Sequence, residues 1–372
     1  MIYLDNGATS FRKPPEVARA VQRAMQCCAN PGRGGHRPAM EAANEVYRCR
    51  EEAGKMFGCQ PEQVVFTSNC THGLNIAIRT LVKPGRRVVI SGFEHNAVTR
   101  PLHGLGAIIT VAGRKLFDWE DTLESFDDAL KRGADAVIFT HVSNVFGYIL
   151  PVKKLARLCR DRGVPFIIDA AQSAGGLPVS LSELGADFIA MPGHKGLLGP
   201  QGTGLLLCGR NPEPLLFGGT GSDSIRQDMP DFTPDRIEAG TLNVPGIAGL
   251  RAGLQYLQRK GTVTVFKHEQ TEARRCAEGL EKAGFRVFSG EHQAGTVSFV
   301  PEMDCEQAAE ILARQGIAIR AGLHCAPLAH ESAGTLETGT VRVSFGHDAA
   351  ASQTASFLRA AAKLCSSDLL KF

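Results

Sequence analysis

The chain has no uninterrupted apolar stretch near the roughly 18 residues that a membrane-spanning helix needs. Its first residues, Met1-Ile-Tyr-Leu-Asp5, lack a basic segment followed by an apolar one. The expectation is a soluble, cytoplasmic protein without a membrane partner. A basic block is missing too: 41 Lys and Arg are scattered among 38 Asp and Glu, for a net charge of +3. Nucleic acid is therefore not an expected partner. Cysteine is plentiful at 11, but CxxC spacing is absent and the count is odd. That argues against a disulfide framework or a zinc site and for reduced thiols, most of them small core residues. The sequon Asn69-Cys-Thr71 has no meaning in a cytoplasmic chain. Internal repeats and low-complexity tracts are also missing. The glycines between 193 and 204 do not meet the strand–GxGxxG–helix spacing with a following acidic residue, which removes a nicotinamide dinucleotide reading.

What is present suits an enzyme-sized globular protein: 372 residues, 43% hydrophobic and 21% charged, long enough for two domains. Helical spacing over 15–28 and 38–57 is followed by short apolar runs at Val64–Phe66, Arg87–Ile90, Ala136–Thr140, Pro165–Asp169, Asp187–Ala190 and Gly204–Cys208. Helical segments are expected between them. This alternation predicts an α/β domain with a largely parallel sheet, with active residues where the strands end. From about 245 the pattern changes to long helices through 246–259 and 264–283, strands at Arg286–Phe288, Thr296–Phe299, Ile317–Arg320 and Thr340–Phe345, and helices at 304–315 and 348–364. The expected division is a large α/β domain over 15–250. A smaller α+β domain takes 1–14 and 251–372.

Lys195 lies in Met191-Pro-Gly-His-Lys-Gly-Leu-Leu-Gly-Pro200, about 25 residues after the apolar strand ending in Asp169. A lysine among glycines, downstream of a buried-looking aspartate, suits Schiff-base chemistry on pyridoxal phosphate. Asp169 can keep a pyridine nitrogen protonated, which makes the ring a better electron sink. A desolvated Lys195 near that cationic ring loses its proton readily. His95, in Glu94-His-Asn-Ala-Val98, can stack on the ring, and Thr71 stands at a helix start whose free N–H groups favour an anion. Each residue alone also has a plain structural reading: surface lysine, capping aspartate, core histidine, helix cap. Cys325 follows His324, with Arg320 near in sequence, and positive neighbours favour a thiolate. Arg342 lies in the apolar run Thr340-Val-Arg-Val-Ser-Phe345. There a planar fork suits an amino-acid carboxylate, and an ion pair is the alternative.

Tyr3-Leu-Asp-Asn6, Glu94-His95, His141-Val-Ser-Asn144, Asp169-Ala-Ala-Gln172, Gly193-His-Lys195, Glu238-Ala-Gly-Thr241 and Arg320-Ala-Gly-Leu-His-Cys325-Ala-Pro327 occur in the order seen in cysteine desulfurases. The chain resembles that family, within the class V aminotransferase-like, fold-type I pyridoxal phosphate enzymes, over nearly its whole length. The resemblance implies a mostly parallel seven-stranded sheet in the large domain, with the catalytic cysteine loop in the small one. It implies Lys195 as the Schiff-base lysine and general base, Asp169 at the pyridine nitrogen, His95 stacked on the ring and Gln172 at the ring hydroxyl. Thr71 and His194 would hold the phosphate, with Cys70 in the same cradle. Thr241 would reach the phosphate of the neighbouring subunit, which makes the protein a homodimer. Arg342 would take the carboxylate of L-cysteine and Asn144 would lie near the ring. Cys325 would take the sulfur as a persulfide and leave alanine. Arg33 and His36, in Asn30-Pro-Gly-Arg-Gly-Gly-His36, belong to a loop similar to one at the family's active site.

The compact cysteine loop, with Arg342 17 positions after Cys325, is similar to the group II branch. Members of that branch commonly pass sulfur to an acceptor protein, and some relatives act on L-selenocysteine. Departures are Pro192 where a serine is often found, Cys70 where threonine is common, and Asn69 where a small residue is common. Proline has neither hydroxyl nor N–H to offer, so one phosphate contact is expected to be missing. The alternatives are a selenocysteine lyase, an aminotransferase-like enzyme in which Cys325 is incidental, and a non-catalytic protein that keeps the fold.

Overall fold

The computed structural model describes residues 1–32 and 34–365. After β1 (Ile2–Tyr3), α1 (Pro15–Cys27) and α2 (Arg37–Phe57), the chain builds its large sheet. The order along the chain is β2 (Val64–Thr67), α3 (Cys70–Leu81), β3 (Arg87–Ser91), α4 (Asn96–Gly104), β4 (Ile108–Ala112), α5 (Trp119–Lys131), β5 (Ala136–Thr140), α6 (Val152–Asp161), β6 (Phe166–Asp169), α7 (Leu181–Leu184), β7 (Phe188–Pro192) and β8 (Gly204–Cys208). Across the sheet the order is β2-β8-β7-β6-β5-β3-β4. Only β8 runs against its neighbours.

Central strands β5, β6 and β7 are buried at every residue, as expected of strands covered by helices on both faces. One core cluster joins Val137, Phe139, Phe166, Ile168 and Ile189 to α2, α5 and α8 (Val244–Lys260). The other joins Ile138, Ile167, Phe188 and Ala190 to α3 and α4. α8 packs along α1 and α2, with apolar residues through Leu257 in the first cluster.

The rest is α9 (Thr262–Lys282), β9 (Arg286–Phe288), β10 (Thr296–Val300), α10 (Cys305–Arg314), β11 (Ile317–Ala318), β12 (Arg320–Gly322), α11 (Pro327–Ala333), β13 (Thr340–Ser344) and α12 (Ala351–Ala362). A four-stranded antiparallel sheet, β12-β13-β10-β9, shares a third core with α9, α10 and α12. The single strand expected at Ile317–Arg320 is two: β11 pairs with β1, and β12 pairs with β13. β4 replaces part of an expected helical connection. Ile108 and Ile109 are exposed on this edge strand, although its residues, Ile-Ile-Thr-Val-Ala, are as apolar as those of its neighbours. No described helix is long and apolar enough to cross a membrane, and the described cysteines are free.

Candidate active site

The carboxyl ends of β2, β3, β5, β6 and β7 open on one edge of the large sheet, where an open α/β sheet offers its crevice. Asp169 ends β6 and is buried. Its Oδ1 accepts from Ala171 N at 2.8 Å and from Cys70 Sγ at 3.5 Å. Among the described residues nothing pairs with Oδ2. Burial raises the carboxyl above its ordinary value, against the Ala171 bond and the charge of Lys195, which lower it. Lys195 follows β7, and burial lowers its amine although Asp169 acts in the opposite sense. An acid short of a cation beside a lysine short of its proton is the donor set that a pyridinium ring and an amine-reactive carbonyl require.

The loop carrying Lys195 is held from both sides. Gly175, with φ 95°, lets its backbone approach Gly196; a Cβ there would lie 2.2 Å from Gly196 O. On the other side the N-terminal segment converges on His194. Its carbonyl accepts from Thr9 Oγ1 at 3.1 Å, Ser10 Oγ at 3.0 Å and Lys13 Nζ at 2.8 Å, while its Nδ1 meets Thr9 Oγ1 at 3.0 Å. Burial pulls Lys13 down to about 8. The sequence reading missed Lys13, whose only signal was its place in a long loop after the Tyr3–Asn6 motif. Gln172 Nε2 donates to Gly7 O at 2.9 Å in the same region.

His95 caps α4, its Nδ1 accepting from Ala97 N at 3.0 Å. Burial, aided by Lys195, lowers it to about 4, so the imidazole is neutral. Glu94 before it is fully buried, and its Oε1 accepts from Ser91 Oγ and from Thr140 N. This carboxyl ties the ends of β3 and β5 together and so places His95. α3 begins at Cys70 and is capped by Asn69, whose Oδ1 accepts from His72 N at 2.9 Å. The N–H groups of Cys70 and Thr71 in its first turn have no partner among the described residues and remain open to an anion. The Cys70 side chain turns instead to Asp169, and burial holds its thiol well above the ordinary value.

Cys325 is exposed, at the tip of the loop between β12 and α11. His324 and Cys325 both adopt left-handed backbone, φ 49° and 58°. Such a pair of non-glycine residues persists only where the surroundings hold it. They do: Cys325 O accepts from Asn96 N at 2.7 Å, and His324 O accepts from Asn144 Nδ2 at 2.8 Å. His324 is not the positive neighbour that the sequence suggested. Its ring is buried, with Nε2 at 3.1 Å from Thr340 O, and burial keeps it neutral.

Arg342, 1% exposed, places Nη1 on Asn144 O at 3.0 Å and Nη2 on Asp5 Oδ1 at 2.5 Å, while its buried Nε has no partner among the described residues. Asn144 therefore bonds Arg342 through its carbonyl and the cysteine loop through its amide. Thr241 is exposed and lines a different cavity of 700 Å³ with Asn30, Gly32, Tyr47 and Glu238. A buried ion pair of Glu238 with Arg50 steadies that wall, and Glu238 also accepts from Phe66 N at 2.6 Å. His36 is an exposed cap of α2, and Arg33 lies outside the described residues. Neither Thr241 nor His36 lines the cavity that holds Lys195 and Gln172.

The profile of the class V aminotransferases matches residues 2–357. The chain belongs to the class V aminotransferase family. Pyridoxal phosphate is the cofactor of this family, and the open Asp169 carboxylate oxygen, the low-basicity Lys195 and the free first-turn N–H groups of α3 fit it. The class V chain is 33% identical to a probable cysteine desulfurase of Pyrococcus abyssi over 93% of its own length and 89% of the relative's. It is also 33% identical to a probable cysteine desulfurase of Methanothermobacter thermautotrophicus, covering 92% and 89%. The apo structure of a cysteine desulfurase from Thermococcus onnurineus superposes with a TM-score of 0.88 at 33% identity, over 98% of this chain and 94% of that one. The cysteine desulfurase CsdA of Escherichia coli gives 0.85 at 25% identity, covering 98% and 94%.

Proposed function

We propose that this class V enzyme is a cysteine desulfurase that converts L-cysteine to L-alanine and holds the released sulfur as a persulfide on Cys325. The observation that carries this reading is the join between the cysteine loop and the lysine site. The backbone of Cys325 is bonded to the residue after His95, and His324 is bonded to Asn144 beside Arg342. An incidental surface cysteine has no reason to be held in strained backbone by the site itself.

Bound through Lys195, pyridoxal phosphate supplies the electron sink for the substrate α-carbon. Asp169 would hold the proton on the ring nitrogen, neutral His95 would lie against the ring face without adding charge, and Gln172 would stand at the ring hydroxyl. The open N–H groups of Cys70 and Thr71 and the side chain of His194 would receive the phosphate. Arg342 would take the substrate carboxylate on its planar guanidinium fork. Lys195, with its amine free, would accept the α-proton. The Cys325 thiolate would then attack the substrate sulfur, the carbon–sulfur bond would break with its electron pair left on the carbon skeleton, and that skeleton would take one proton at the β-carbon and regain one at the α-carbon to leave as alanine.

Thr241 lines a cavity apart from Lys195 in its own chain, which supports its action on the phosphate of a second subunit in a homodimer. Arg33 and His36, in the loop leading to α2, stand as weaker candidates for substrate contact. A short cysteine loop bound at two points has little reach, which supports the group II assignment and delivery to an acceptor protein that comes to the exposed thiol. The test is alanine and persulfide formation from L-cysteine by pyridoxal-loaded protein, wild type beside Cys325→Ala, with L-selenocysteine in parallel. Loss of cysteine-derived persulfide in the variant is the expected result. Turnover of selenocysteine alone moves the assignment to a selenocysteine lyase, and an unaffected variant moves it to an aminotransferase-like reaction.

A further inference from the structure

Arg342 is already occupied by a carboxylate that belongs to the protein. Asp5 follows β1 and makes an isolated parallel bridge to Ser344, two residues beyond Arg342. This brings Oδ1 to 2.5 Å from Nη2, with Asp5 19% exposed and Arg342 1% exposed. The surrounding turn is stitched in place. Gly7 N donates to Ser344 Oγ at 2.7 Å, and Gly7 O accepts from Gln172. A Cβ at Gly7 would lie 3.1 Å from Ser344 Oγ and 3.3 Å from Arg342 Cζ, so a side chain there would push these neighbours back by a few tenths of an ångström. An aspartate side chain presents the same group, in charge and geometry, as the carboxylate of an amino acid. Two carboxylates on one enclosed guanidinium repel each other and leave an excess negative charge out of water.

We propose that Asp5 is an internal competitor for the Arg342 fork, which an incoming amino-acid carboxylate must displace. The inference rests on the reading of Arg342 as the substrate-carboxylate receptor and adds a tax on that step. Only the fraction of molecules with Asp5 swung away is competent, so the apparent affinity for every carboxylate-bearing ligand falls by that fraction. A ligand with the amine and thiol but no carboxylate leaves the Asp5–Arg342 pair intact and escapes the tax.

The experiment compares wild type with Asp5→Asn, both loaded with pyridoxal phosphate. L-alanine binding is followed by calorimetry and by cofactor absorbance, with 2-aminoethanethiol as the carboxylate-free control and the KM for L-cysteine alongside. Asparagine keeps the shape and removes the charge, so L-alanine should bind about tenfold tighter and the KM for L-cysteine should fall by a similar factor. Binding of 2-aminoethanethiol should not change. Unchanged or weaker L-alanine binding in the variant overturns the proposal and makes Asp5 a prop that orients the guanidinium. Absence of L-alanine binding in both proteins overturns it as well. If Asp5→Asn does not fold, Asp5→Ser carries the same comparison. If wild type makes no persulfide from L-cysteine, the functional reading fails while the L-alanine comparison still decides this one.

Discussion

Glu94 offers a test in which the sign of an effect reverses with pH. Its carboxyl is enclosed at the sheet edge, and burial pushes it up to about 8 from an ordinary 4.5, despite the opposing bonds from Ser91 and Thr140. The folded state therefore holds this proton more tightly than the unfolded state. Its stability is fully present below about pH 4.5 and is lost as pH rises through about 8. The rise from 4.5 to about 8 corresponds to roughly 5 kcal/mol. Glu94→Gln keeps an oxygen for Ser91 and Thr140 but puts an amide where Oε2 has no partner, at a cost of about 1–3 kcal/mol. At pH 5 the variant should be the less stable protein, and at pH 8 the more stable by about 2–4 kcal/mol. The two stability curves should cross between about pH 5 and 7. Half-buried Glu269, also raised to about 8, adds its own pH dependence to both proteins and cancels in the difference. Urea unfolding followed by circular dichroism from pH 5 to 9 measures this. Parallel curves would falsify the claim that Glu94 is neutral in the folded protein.

Three further outcomes follow from the packing. Arg50→Met leaves Glu238 buried without its cation and should cost about 3–5 kcal/mol in urea unfolding, with much of that restored when Glu238→Leu is added. Gly175→Ala drives a Cβ into Gly196 O and displaces the Lys195 loop. It should abolish cofactor absorbance near that of the loaded lysine, and normal loading would show that the close approach is dispensable. Iodoacetamide should modify exposed Cys325 at least about tenfold faster than buried Cys49, Cys70 or Cys276, as read by peptide mass spectrometry. Equal labelling would show that the core opens as readily as the loop.

The candidate site residues of the large sheet could be placed from the sequence because each lies at the end of an apolar run or after one. Asp169 ends β6, Lys195 follows β7 and His95 follows β3, and a strand in a covered sheet announces itself by its unbroken burial. β4 carries an equally apolar run, Ile108–Ala112, and was within reach of the same reading, which missed it; what sets it apart is its place at the sheet edge, where Ile108 and Ile109 stay exposed. Arg342 could be suspected from its apolar neighbours, because a charge in such a run must find a partner. Which partner it found could not be read from local pattern. Asp5 lies 337 positions away, and only the pairing of β1 with β11 and the bridge to Ser344 bring it there.

The same division holds for Cys325. Sequence order showed a cysteine beside a histidine and suggested a positive neighbour, but charge depends on burial, which is a tertiary property. Folding sinks the His324 ring, leaves the Cys325 thiol outside and bonds the loop to Asn96 and Asn144. Local pattern and ordered motifs therefore determined the reaction class and the candidate residues for it. Tertiary structure decided which of those groups are charged, which are held together and which are already occupied, because desolvation and contact between distant segments exist only once the chain has folded.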